Sequence, residues 1–164
     1  MTSILPYEGA TEGRQLYREA LLMQAAQQWQ AKKYALSLNS VAKAREWPLN
    51  LGVGKPYDAD VDTRLESYLE GLCYEGLKNP EQALRKWNEV IAFKPTQDNV
   101  NNLVTAMTLR KLSRHDEGEK LLSAWQQREP KNQVAKWCLE IYHGARPVAE
   151  MAGDENVRIL EAIL

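Results

Sequence analysis

SYLEGLCYEGLKNPEQALRKWNEVIAFKP, residues 67–95, is the stretch whose reading decides the fold. Leu65, just upstream, and Tyr68, Leu69, Leu72 and Cys73 recur at steps of three and four, the spacing that gathers apolar side chains on one face of a helix. The stripe ends near Gly76 and Leu77. Asn79-Pro80 then reads as a new helix start, with Asn79 as N-cap and Pro80 at the first helical position, where its missing N–H costs nothing. The second helix places Ala83, Leu84, Trp87, Val90 and Ile91 on its apolar face, and Pro95 closes it. Two helices joined by a tight turn make an αα-hairpin.

The same pattern returns when the chain is read against itself. A shift of 35 residues carries Gly71 to Ala106, Ala83 to Gly118, Trp87 to Leu122 and Pro95 to Pro130, each pair keeping its size class. The small residues predict close approach of the two helices of a hairpin. The large ones predict a filled layer between neighbouring hairpins. A backward shift of 46 carries Gly71 to Ala25, Ala83 to Ser37 and Trp87 to Val41, with Pro48 one residue out of place. The longer interval corresponds to an insert, WPLNLGVGKPYDADV at 47–61. No stretch alternates with the period of two that a half-buried strand requires. The expectation is an all-α single domain over 1–164: a right-handed α-solenoid of about three hairpins at 12–46, 62–95 and 97–130, with capping helices over 131–164. Helices are expected near 12–30, 33–46, 62–77, 80–93, 97–112, 115–128 and 131–143. A last helix near 154–164, carrying Val157, Leu160 and Leu164, is expected together with the helix before it to cap the exposed face of the array.

Gly71, Tyr74, Ala83, Trp87 and Pro95 stand where a tetratricopeptide repeat has glycine, tyrosine, alanine, a large aromatic and proline, so the stretch resembles that repeat. The next repeat departs from it, with Leu109 in place of the tyrosine and Trp125 in place of a later alanine. The resemblance covers about residues 16–143. A narrower one rests on LYREALLMQAAQ, AREWPLNLGVGKPYD and SYLEGLCYEGLKNPEQA. These resemble the C-terminal part of long bacterial proteins of unknown function, whose N-terminal region is similar to sugar-mutarotase β-sandwiches. That resemblance implies an excised C-terminal domain.

Composition narrows the function. The 21 basic and 22 acidic residues nearly cancel, to a net charge of −1, so the basic stripe that a phosphate backbone calls for is not visible. No apolar run approaches the roughly 18–20 residues a bilayer needs. Residues 1–14 carry Pro6, Glu8, Gly9, Glu12 and Arg14 where a signal peptide needs an unbroken apolar stretch. The expectation is a soluble chain with neither nucleic acid nor membrane as partner, cytoplasmic by default, and periplasmic or secreted if an export signal precedes it in a longer protein. Cys73 and Cys138 have no Cys or His partner at metal-ligand spacing and sit on apolar faces, as buried reduced thiols do.

Each motif that suggests chemistry has a plainer reading. Gly52-Val53-Gly54-Lys55-Pro56 lacks the glycine spacing, the Ser or Thr and the strand of a phosphate loop. It reads as a turn that lets Leu49, Leu51 and Tyr57 tuck onto the first two hairpins, with Trp47 as anchor. Asp58, Asp60 and Asp62 alternate without the glycine and distal glutamate of a calcium loop. His115 precedes Asp116 at a helix start, where it is solvated or capping, and His143 stands 28 residues on, so neither completes a base and nucleophile constellation. Trp87, Trp125 and Trp137 lie on apolar stripes as core. The expectation is a non-enzyme with no cofactor and no metal.

In stacked hairpins the first helix of each lines the concave side. That geometry nominates Trp29, Tyr68, Leu72, Glu75, Met107, Arg110 and Lys111 as lining a groove, a mixture that suits a protein partner. The partner is expected to be a protein, an extended peptide, or the N-terminal domain of the same longer chain. A homodimer is also compatible. The carboxylate clamp of co-chaperone adaptors is missing, since the corresponding inner positions read Leu22, Ala26, Leu69, Val100 and Val104. The rival function is an accessory domain of a carbohydrate-active enzyme whose chemistry lies in a missing N-terminal part.

Overall fold

A computed structural model describes residues 6–46, 61–146 and 155–164. Among the described residues the chain forms eight α-helices and no strand: α1 Pro6–Gln30, α2 Tyr34–Arg45, α3 Arg64–Gly76, α4 Pro80–Ala92, α5 Asn101–Lys111, α6 His115–Arg128, α7 Gln133–Tyr142 and α8 Glu155–Ile163. The first helix begins six residues earlier than its apolar stripe suggests. The fifth begins four residues later, because Asn99 Oδ1 accepts the Asn101 backbone N–H (2.8 Å) and fixes the start there. The insert at 47–61, with Trp47, Leu49, Leu51, Tyr57 and the glycine turn, lies outside the described residues apart from its last position.

α1 pairs with α2, α3 with α4, and α5 with α6. The three intra-pair turns are built alike. Lys32, Lys78 and Ser113 each take a left-handed backbone, with φ of 61°, 58° and 61°. In each turn the next residue's N–H reaches back five positions to a helix carbonyl: Lys33 to Gln28 (2.8 Å), Asn79 to Tyr74 (2.9 Å) and Arg114 to Leu109 (2.8 Å). The left-handed residue itself donates three positions back, to Trp29, Glu75 and Arg110. Together these bonds make the Schellman cap, which satisfies carbonyls that a helix end otherwise leaves open. α7 ends the same way, with Gly144 at φ 90° and Ala145 N–H on the Glu140 carbonyl (3.0 Å). Lys78 follows Lys32 by 46 residues and precedes Ser113 by 35, the two shifts at which the sequence matches itself.

Small residues sit where these pairs come together. Ser37 Oγ donates to the Ala25 carbonyl (2.7 Å). A Cβ at Gly118, the equivalent of Ser37, would stand 2.9 Å from the Ala106 carbonyl oxygen, the equivalent of Ala25. Trp87 is buried as expected. Its ring lies over Gly71 of α3 and 5.5 Å from the Tyr68 ring of the same helix, and Lys111 of the next pair stands 5.7 Å from its centroid. Leu84 departs from expectation, at 48% exposed, because it lies one residue, about 100° of rotation, off the buried Ala83–Trp87–Val90 face. Trp125 and Trp137 are core, as are both cysteines.

The pairs meet through α2 with α3, α4 with α5 and α6 with α7, and α1, α3, α5 and α7 also touch in succession. The last helix, α8, returns to lie against α1, the first.

Candidate interaction surface

The seven residues that the sequence nominates fall into three groups. Tyr68 and Leu72 are 3% and 6% exposed and belong to the core, so they present almost no surface to a partner. Both lie on the face of α3 that the Trp87 side of the hairpin covers. Trp29, in the last turn of α1, and Met107, on α5, are half-buried against the same core. Glu75, Arg110 and Lys111 are the exposed members.

Those three are brought together across α3 and α5, and each is engaged. Lys111 Nζ pairs with Glu75 Oε1 at 2.7 Å and stands 5.7 Å from the Trp87 ring centroid. Arg110 lies over the Tyr142 ring, 3.9 Å from its centroid, and donates to the Tyr142 carbonyl. Tyr142 in turn donates its hydroxyl to the His115 carbonyl (2.8 Å), so α5, α6 and α7 are tied at one point. Burial pushes the Tyr68 hydroxyl pKa well up; the charge of Glu75 adds to that and Arg110 works against it. The patch is an aromatic platform with a satisfied ion pair on its rim, worth little as a surface pair in water.

The sequence reading missed a second constellation, where α1, α3, α5 and α8 meet. Arg18 of α1 and Glu66 of α3 form a buried, doubly bonded pair: Nη2 to Oε1 at 2.7 Å and Nε to Oε2 at 3.3 Å. Arg18 Nη1 also donates to Asn156 Oδ1 of α8 (3.2 Å), and Asn156 Nδ2 donates to Asn101 Oδ1 of α5 (3.3 Å). One asparagine of α8 is thus bonded by side chains of α1 and α5, and through Arg18 it is linked to Glu66 of α3. Around it Val157, Ile159, Leu160 and Ile163 are buried, and Arg158 pairs with Glu19 of α1 at 2.5 Å. At the other end of α8, Gln30 donates to the Ala162 carbonyl. The order of these contacts along both helices makes α8 run in the direction of α1. The inner positions Leu22, Ala26, Leu69, Val100 and Val104 are all buried.

A neighbouring polar knot fixes α3 against α5. The Arg64 guanidinium donates to Asp62, Asn99, Asn102 and Thr105, and lies 5.3 Å from the Phe93 ring centroid. Burial works to raise the Asp62 pKa, but the hydrogen bonds and charge of Arg64, with its backbone N–H and Asn101, outweigh it and hold the carboxyl below its ordinary value. Asp62, singled out in the sequence beside Asp58 and Asp60, is therefore a structural anchor for Arg64. His143 Nε2 lies 2.7 Å from Glu119 Oε2 on the surface, and His115 is exposed at the start of α6.

The described residues contain no group of three or more His, Cys, Asp or Glu side chains placed to hold a metal ion. Among them no helix is long and apolar enough to cross a membrane. Compared with models of protein families, with curated proteins and with solved structures, the chain matches none.

Proposed function

We propose that this chain is a non-catalytic interaction module, a right-handed α-solenoid of about three tetratricopeptide-like hairpins, serving protein–protein or interdomain contact. The observation that carries the reading is the fourfold return of one helix ending. The same left-handed cap terminates α1, α3, α5 and α7, and the first three stand at the 46- and 35-residue intervals where the sequence repeats itself. A hairpin of this kind cannot bury both of its faces alone, so copies stack and their first helices form a continuous inner face. Such a face is suited to holding an extended or helical segment of another polypeptide.

The test is a display selection of peptides on the folded full-length chain, run beside calorimetric titrations with ATP and zinc. The expected outcome is enrichment of peptides that bind saturably, with no saturable uptake of nucleotide or metal. Catalytic turnover by the purified chain would refute the reading. So would micromolar ATP binding that Lys55→Ala abolishes.

A further inference from the structure

The contact between α8 and the first helices has two features that a mere end-cap does not need. A cap has only to shield apolar surface, and Val157, Ile159, Leu160 and Ile163 do that by themselves. Yet the centre of the contact is polar. Arg18 and Glu66 are both nearly removed from water. Burying such a pair costs desolvation that its attraction repays only when the geometry is good and the remaining donors find partners. Here one remaining donor, Arg18 Nη1, is met by the docked helix through Asn156. A buried polar contact inside an apolar one is best attested as a device that fixes register and partner choice. A helix slipped by one residue would turn Asn156 about 100° away from Arg18 and Asn101.

The second feature is the size of α8. It has nine residues, well below the roughly 12–15 at which an isolated helix is even marginal in water. Its helicity therefore derives from the face it lies on, in the manner of an amphipathic segment laid into a groove and read at i, i+3, i+4 and i+7. The anchors follow that spacing: Asn156, then Ile159, Leu160 and Ile163, with Val157 beside them.

We propose that the inner face of α1, α3 and α5 is a helix-receiving site with α8 as its resident ligand. The partner in trans is a short amphipathic helix of the same chemistry, with an asparagine in its first turn and aliphatic residues one, three, four and seven positions later. This deepens the interaction-module reading and rests on it. A competitor must displace a segment tethered in the same chain, so its apparent affinity is reduced by the fraction of molecules whose groove is free.

The test uses the full-length chain and a fluorescent synthetic peptide, DENVRILEAIL, which is residues 154–164. Leu160→Asp in the protein places a charge in the apolar contact and unseats α8. The milder Asn156→Ala removes only the bonds to Arg18 and Asn101. Circular dichroism and a cooperative melt confirm that each variant is folded. By fluorescence anisotropy the Leu160→Asp protein should bind the peptide at least ~10-fold more tightly than the wild type, whose groove is filled. The Asn156→Ala protein should lie between them. A peptide with its own asparagine changed to alanine should bind the Leu160→Asp protein ~5-fold or more weakly, one buried charge-assisted hydrogen bond being worth at least that.

Folded variants that fail to bind the peptide overturn the proposal. Equal binding by wild type and variant overturns it too, since it places the peptide elsewhere. Native-state hydrogen exchange on the wild type is a second test that needs no variant. The α8 amides should exchange through a local opening well before those of α3, and exchange of both only through global unfolding refutes a displaceable α8. Negative results here, alongside ligands recovered in the display selection, strike this site alone. Catalytic turnover strikes the module reading instead.

Discussion

Gly71→Ala is the most direct test of how the central hairpin is packed, because two opposing effects of known size meet there. A methyl group at Gly71 would stand 2.3 Å from Trp87 Cζ3, 2.6 Å from Cη2 and 2.7 Å from Cε3. The ring cannot swing aside. Tyr68 holds it at 5.5 Å and a 48° tilt, and only 5% of Trp87 is exposed. Alanine in a helix interior gains about 1 kcal/mol over glycine, while overpacking a filled core costs about 1–3 kcal/mol. The clash involves three ring atoms and puts the overpacking cost at about 2–3 kcal/mol, so overpacking wins, with a net loss of about 1–2 kcal/mol. For a chain of this length that lowers the melting temperature by about 2–8 °C. Trp87→Leu alone should cost about 2–4 kcal/mol through lost transfer energy and a partly collapsed cavity. The double variant should recover about 1–2 kcal/mol of the sum, since the new methyl fills space that the indole has left. Urea midpoints for the four proteins give the cycle. Gly71→Ala melting at or above wild type, or a double variant additive within about 0.5 kcal/mol, would refute the hairpin packing described here.

Three further outcomes follow from local chemistry. Ser113→Gly and Lys78→Gly should each stabilise by about 0.5–1 kcal/mol in thermal melts, because a side chain at positive φ carries strain that exceeds glycine's entropic cost. Asn79→Ala should destabilise by about 1 kcal/mol on the same assay, since it removes the side-chain acceptor of the Gln82 N–H at the start of α4. Asp62 and Asp98 are both held below their ordinary pKa. Burial opposes the shift at Asp98 as well, and the hydrogen bonds of Arg128 and Asn102 and the charges of Arg128 and Arg64 prevail. Depressed carboxyls contribute stability that is fully present above the unfolded-state value of about 4 and is lost as pH falls through the lower folded-state values. Urea midpoints should therefore fall steeply below about pH 4, and Asp62→Asn should flatten that fall while lowering stability at neutral pH.

The hairpins were legible in the sequence because their determinants are local. Asn79-Pro80, the small residues at Gly71, Ala83, Ala106 and Gly118, and the stripes through Leu69 and Trp87 all act within one helix or between adjacent ones. The left-handed turns were not legible, since Lys32, Lys78 and Ser113 carry none of the usual glycine signal, and only the cap geometry shows that the three are alike. Leu84 was misplaced by widening an apolar face one residue beyond Ala83. The site around Asn156 was illegible for a different reason. Arg18, Glu66 and Asn101 each look like an ordinary polar residue beside an apolar stripe, and their meeting depends on where the last helix, 55 residues from Asn101 and 138 from Arg18, comes to rest. The available signal was burial-prone spacing around Glu66 and Asn101, which sit next to Leu65 and Asn102 on inward-facing turns.

The return of α8 to α1 also changes how such a chain unfolds. In a simple stack each unit touches only its neighbours, so the ends fray first and stability is close to a sum of adjacent terms. The bond between Arg18 and Asn156 joins positions 138 residues apart. It raises the mean sequence separation of contacts above that of a purely local helical array, and the price is slower folding. It also ties the first helix to the last, so opening α8 removes a neighbour of α1 as well. A force applied to the two termini would load this seam before any hairpin. Breaking it would convert a closed, cooperative unit into a string of pairs that melt from the ends.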